Sequence, residues 1–176
     1  MERYAKEVSG GCQCGAVRYH ATRMLDNAHI CHCRMCQKAV GNIFAALVAA
    51  PREAITWTRG TPARFRSSDH VDRGFCAACG TPLFYDDITG NRINFTIGSL
   101  DHPEDFPPHV NDGNESRVPW FDTLPTLKNG GQTGTSDSDD AAWAAAIAAS
   151  NHQHPDRDTT RWPDPAVGLG QSKVTN

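Results

Sequence analysis

The seven cysteines of this chain fall into three short-spaced groups, Cys12 and Cys14, then Cys31, Cys33 and Cys36, then Cys76 and Cys79, and none lies elsewhere. That arrangement constrains the fold more than any other feature. Zinc takes four tetrahedral ligands, and a structural site draws them as two close pairs from distant parts of the chain. Cys12/Cys14 and Cys76/Cys79 are two such pairs. Gly11 and Gly15 flank the first and Gly74 and Gly80 the second, and glycine lets a backbone turn tightly around an ion. Free buried cysteines and disulfides are the alternatives. Neither demands this spacing, and an odd count leaves at least one thiol unpaired.

Cys31, Cys33 and Cys36 remain, spaced so that three thiolates can converge from one tight loop on a second ion. Three protein ligands with an open fourth position describe a catalytic zinc. The competing reading closes the site with His32 or His29 and makes it structural. His32 sits between two ligands, so its side chain is expected to point away as theirs converge. A zinc held by three thiolates is a weak polariser of carbonyls but suits a soft thiol substrate, which it deprotonates near neutral pH for attack on an electrophilic carbon. The chemistry implied is addition or transfer at sulfur.

The rest of the composition narrows the setting. A length of 176 residues needs only one core, and 15 Gly and 11 Pro favour turns over long helices. A net charge of −3 with scattered arginines gives no basic field for phosphates, so nucleic acid is not an expected partner. The stretch MERYAKEVSG has no apolar core after its charges and no apolar run reaches membrane-spanning length, so the chain reads as soluble and cytoplasmic. In such a reducing compartment clustered cysteines bind metal or react; they are not expected to pair.

Short β-like segments at 16–21, 43–48, 54–57, 63–66, 83–85 and 92–97, punctuated by Gly, Pro or Asp, predict a mainly β domain of short antiparallel sheets. Arg34–Val40 is expected to form a helical turn stopped at Gly41. After Lys128 the run NGGQTGTSDSDD reads as a flexible linker, which puts the zinc domain at 1–128 and a tail at 129–176. Within that tail, Asp139 or Asp140 could cap a helix over 139–150 with Trp143 and Ile147 on one face. The remainder is expected to be loosely ordered or laid over the domain surface.

The segments GGCQCGAVRYHA, CHCRMCQKAVGNIFAA, RGFCAACGTPLFY, IGSLDHP and SRVPWFDTLP together resemble the glutathione-dependent formaldehyde-activating (GFA) family over residues 9–128. The resemblance implies a β-rich Mss4-like fold, a structural zinc on Cys12, Cys14, Cys76 and Cys79, and a catalytic zinc on Cys31, Cys33 and Cys36. It also implies condensation of formaldehyde with glutathione, a carbon–sulfur lyase activity. The rival readings are a non-enzymatic zinc scaffold that binds a protein, and an isomerase or hydrolase that uses zinc-bound water without a thiol.

Arg34, Lys38, Arg66 and Arg73 lie near the clusters in sequence and could grip substrate carboxylates, although such residues are more often solvated surface. Phe44, Trp57, Phe65, Phe75, Phe84 and Phe95 read as core. Trp120 and Phe121 are candidates for a pocket wall, with packing the simpler role. His152 and His154 resemble a small metal tract, but in a flexible tail they are expected to be exposed to solvent.

Overall fold

Runs rich in β-branched and aromatic residues, each closed after a few positions by Gly, Pro or Asp, favour strands joined by tight turns. The computed structural model describes residues 6–135 and 137–161. In chain order its strands are β1 (Val8–Gly11), β2 (Arg18–Ala21), β3 (His29–Cys31), β4 (Ala45–Pro51), β5 (Ile55–Arg59), β6 (Ala63–Ser68), β7 (Val71–Phe75), β8 (Pro82–Asp87), β9 (Arg92–Thr96) and β10 (Val110–Asp112). Helix α1 (Arg34–Val40) lies between β3 and β4, and α2 (Ser138–Ser150) follows the strands. The protein is therefore mostly β, with few helices.

Two sheets form, a three-stranded one in the order β1-β2-β5 and a seven-stranded one in the order β10-β3-β4-β9-β8-β7-β6. Pairing is antiparallel except where β10 joins β3 in parallel. Six strands fall where alternation and turn residues place them. The other four, β1, β3, β7 and β10, are not marked in the sequence, because two are only three residues long and Val8–Gly11 and Val71–Phe75 carry glycines or charges.

The core lies where the sheets meet. Tyr19 of β2 stacks on Phe95 of β9 with ring centroids 4.1 Å apart, and Trp57 and Phe84 close around them. Burying each such ring stabilises the fold by about 1.5–3 kcal/mol. The Tyr19 hydroxyl, which would be costly to bury unpaired, shares a 2.7 Å hydrogen bond with Ser99. Phe65 departs from its expected core role: it sits on the edge strand β6 and is 62% exposed.

Helix α1 begins and ends as the sequence indicates. Cys33 caps it, its Sγ accepting the Cys36 N–H at 3.4 Å, and Gly41 ends it at φ +65°, a conformation that favours glycine. The cap of α2 is Asp137, not Asp139 or Asp140. The Asp137 carboxylate accepts the N–H groups of both those residues, at 3.0 and 2.9 Å, which only a residue preceding them can do. No helix among the described residues is long and apolar enough to cross a membrane.

After α2 the chain returns to the first cysteine pair. The His154 N–H donates to the Gln13 carbonyl at 2.7 Å, Asp158 accepts from Arg18 at 2.8 Å and from the Ser9 hydroxyl at 3.0 Å, and Arg59 reaches Thr159. His154 is only 2% exposed, contrary to its expected place in solvent. Its ring fills the space beside Gly15, where a Cβ would come within 2.2 Å of the imidazole.

Candidate metal centres and the adjoining cleft

Two turns of the same design carry the first cysteine group. The Cys12 N–H donates to Val17 and the Cys76 N–H to Thr81, both at 3.0 Å, while the Gly15 and Gly80 N–H groups return to the Cys12 and Cys76 carbonyls at 3.0 and 2.8 Å. Gly15 and Gly80 make these turns possible, at φ +72° and +76°. Gly74 works differently. It lies within β7, where the missing side chain makes room for the Phe84 ring.

The turns bring the sulfurs of Cys12, Cys14, Cys76 and Cys79 within 4.8 Å of one another. The Cys12–Cys14 and Cys14–Cys76 Sγ separations are 3.6 and 3.9 Å. A tetrahedron of thiolates about 2.3 Å from a zinc ion has edges of about 3.8 Å. The group could therefore hold a metal ion with little rearrangement.

Ionisation within the group is uneven. Burial pushes the Cys12 and Cys14 thiols up. Cys79 comes down to about 6 because, against the cost of burial, the Thr81 hydroxyl and the backbone at Cys14 and Thr81 favour its thiolate. Neighbouring thiols cannot all ionise side by side, and a bound dication is the charge that lets a whole group deprotonate.

The second group comes from β3 and the first turn of α1. Cys31, Cys33 and Cys36 lie within 4.8 Å of one another, and no histidine or carboxylate among the described residues joins them. His32 turns the other way. It is fully buried, its Nε2 is 3.0 Å from Asn111 Oδ1, and its ring meets Phe121 edge-on at 4.7 Å. His29 lines the cleft, but its Nδ1 sits 2.7 Å from the Asn27 carbonyl and its ring stays outside the cysteine group.

The three cysteines open on a cleft of about 510 Å³ lined also by Arg73, Tyr85, Arg92, Asn94 and His109. Arg73, 8% exposed, places Nη2 3.4 Å from the Cys36 Sγ and lays its guanidinium over the Tyr85 ring. Burial pushes Cys31 up to about 12 and raises Cys36 despite the pull of Arg73. Cys33 ends below its ordinary value, because the Cys36 N–H, the neighbouring thiols and Arg73 outweigh burial.

Of the cations picked out in the sequence, Arg73 alone reaches the cysteines. Arg34 and Lys38 line a neighbouring groove, and Arg66 pairs with Asp72 at 2.6 Å. Phe121 packs on His32 and Phe44, while Trp120 is half-exposed, and neither lines the cysteine cleft. Tyr85, Asn94 and His109 are cleft residues that sequence reasoning does not single out. Arg73, Tyr85 and Asn94 are consecutive cross-strand partners on β7, β8 and β9, a relationship that no local spacing encodes.

The sequence profile of the family described as glutathione-dependent formaldehyde-activating enzyme matches residues 7–114. The chain belongs to this family. A protein of Schizosaccharomyces pombe named as an uncharacterized lyase is 26% identical over 89 residues, 51% of this chain and 64% of that protein. The chain thus spans under two thirds of that relative's length. A crystal structure of a Rhodobacter sphaeroides protein aligns at a TM-score of 0.49 and 20% identity, covering 58% of this chain and 98% of that one.

Proposed function

We propose that this member of the family is a zinc-dependent enzyme of carbon–sulfur lyase type. In this reading it joins a thiol to formaldehyde or a related electrophile at Cys31, Cys33 and Cys36, with a second, structural zinc on Cys12, Cys14, Cys76 and Cys79. The observation that carries it is the pairing of one group of four cysteines with one group of three that faces a cleft. A zinc ion on the group of three would supply a coordination position at which a substrate thiol loses its proton readily.

The chain's own residues supply the rest. The thiol sulfur gives an electron pair to the carbonyl carbon, a carbon–sulfur bond forms as the carbon–oxygen π bond breaks, and the proton from sulfur ends on the carbonyl oxygen. No further reactant is needed. Tyr85, a phenol protonated at neutral pH, offers an O–H to the oxygen as it gains charge. In this reading His109, which lines the same cleft with its Nε2 4.0 Å from Asp26, takes the sulfur's proton. Arg92 and Arg73 are the cations of the cleft, available in this reading to a carboxylate of the substrate thiol; glutathione is the thiol that the family description names and the reference against which other thiols are compared.

The test is the rate of formaldehyde–thiol condensation, followed by NMR exchange with zinc-loaded protein and a panel of thiols. The protein should speed condensation for at least one thiol, and Cys36→Ser should abolish the effect. Rates equal to the spontaneous ones for every thiol would refute the reading. Turnover of a substrate without added thiol would point to hydrolysis or isomerisation instead.

A further inference from the structure

We infer that the groove beside the cysteine cleft binds a small apolar acid, and that it holds the non-reacting body of the substrate; this deepens the reading above and rests on it. The groove encloses about 630 Å³, in the range of sites for metabolite-sized ligands. It shares Met35, Leu47, Arg73 and Tyr85 with the cleft at Cys31, Cys33 and Cys36, so the two adjoin along one wall.

Its chemistry follows from the local fold. Along α1, residues four apart lie on the same face, so Arg34 and Lys38 rise together over one side of the groove with Met35 and Ala39 beside them. On the facing sheet, side chains alternate. Phe65 and Ser67 of β6 turn toward the groove, while Arg64 and Arg66 bond carboxylates, Asp86 at 2.7 Å and Asp72 at 2.6 Å. Phe65, Arg73 and Tyr85 then form one cross-strand row.

Two observations single out an anion with an apolar body. Among the described residues no aspartate or glutamate lines the groove, and Arg34 and Lys38 form no ion pair, whereas the arginines of the opposite face of β6 do. Arg73, buried between the Cys36 sulfur and the Tyr85 ring, adds positive charge where the groove meets the cleft. The apolar part of the argument is Phe65 and Met35, which stand 62% and 61% exposed beside Val40, Leu47 and Phe75. A polar tripeptide would leave these groups uncovered; an aryl or branched alkyl acid covers them and brings its charge to the cations.

The experiment uses an unreactive probe, so that binding is read separately from chemistry. Isothermal titration of the zinc-loaded full chain with 4-phenylbutanoate should show saturable binding, with 4-phenylbutan-1-ol and glutathione each at least tenfold weaker. Phe65→Ser and the double substitution Arg34→Glu with Lys38→Glu should each weaken the probe at least tenfold. All three positions are exposed, so the variants are expected to fold. Affinity equal to that of the alcohol, preference for glutathione, or indifference to both variants would overturn the inference. A dimer that dissociates on Phe65→Ser and ignores the probe would assign the groove to a second copy and overturn it too. Probe binding without turnover of any thiol upholds the groove and sinks the lyase reading, whereas thiol turnover without probe binding does the reverse.

Discussion

Arg73 Nη2 lies 3.4 Å from the Cys36 Sγ, so a buried guanidinium supports one sulfur of the three-cysteine group directly. Partners at this distance from a metal ligand commonly change metal affinity or activity by about 10–100-fold when removed. Arg73→Met is expected to weaken zinc at this group by about that factor, measured by chelator competition, with the four-cysteine group unaffected. Arg73→Lys should recover part of the loss. Unchanged affinity in Arg73→Met would show that the contact has no role in holding the ion.

The two groups of cysteines were legible in the sequence because their information is local: pairs and triplets at fixed spacing, with glycines at the turns. Helix α1 was legible for the same reason, from its span to Gly41. What surrounds the second group was not. Arg73, Tyr85 and Asn94 meet only because β7, β8 and β9 pair in one register, and β7 is a strand whose glycine and charges hide it. The place of His154 was equally hidden, since its burial depends on the vacancy at Gly15, far away in sequence.

Asp86 makes acid sensitivity testable. Its carboxylate is 2% exposed and receives Arg52 at 2.6 Å and Arg64 at 2.7 Å, and although burial opposes ionisation these two arginines hold it below the ordinary carboxylate range. A carboxyl depressed in the folded state contributes stability that is present above its unfolded value and is lost as pH falls through the folded one. Asp86→Asn should cost about 1–2 kcal/mol at neutral pH, a moderate figure because both arginines are about 40% exposed. The deficit should shrink as wild type and variant are acidified below about pH 4. A deficit independent of pH in thermal unfolding would refute the ionic origin.

The boundary after Lys128 is a proposal that truncation can test. A chain ending at residue 128 is expected to fold and hold zinc, since the paired strands and all seven cysteines precede the cut. It loses the bonds from Arg18 to Asp158 and from His154 to Gln13, while Arg18 keeps its bidentate pair with Asp101 at 2.6 and 2.7 Å. A loss of about 1–3 kcal/mol, seen as a fall of several degrees in Tm, is the expected result. Failure to obtain soluble, zinc-loaded protein would place the tail within the folding unit.

The central claim is that the two cysteine groups hold two zinc ions with different duties, and native mass spectrometry counts them directly. Wild type should carry two zinc ions per chain. Cys36→Ser should carry one and remain folded, because its ligands are close in sequence and their ion ties few distant parts of the chain together. Cys79→Ser should lose the clamp between the turns at Cys12 and Cys76 and unfold or become strongly destabilised, since metal binding at such a site is coupled to folding. A single zinc or an iron ion in wild type, or a Cys36→Ser chain that unfolds as badly as Cys79→Ser, would contradict the account.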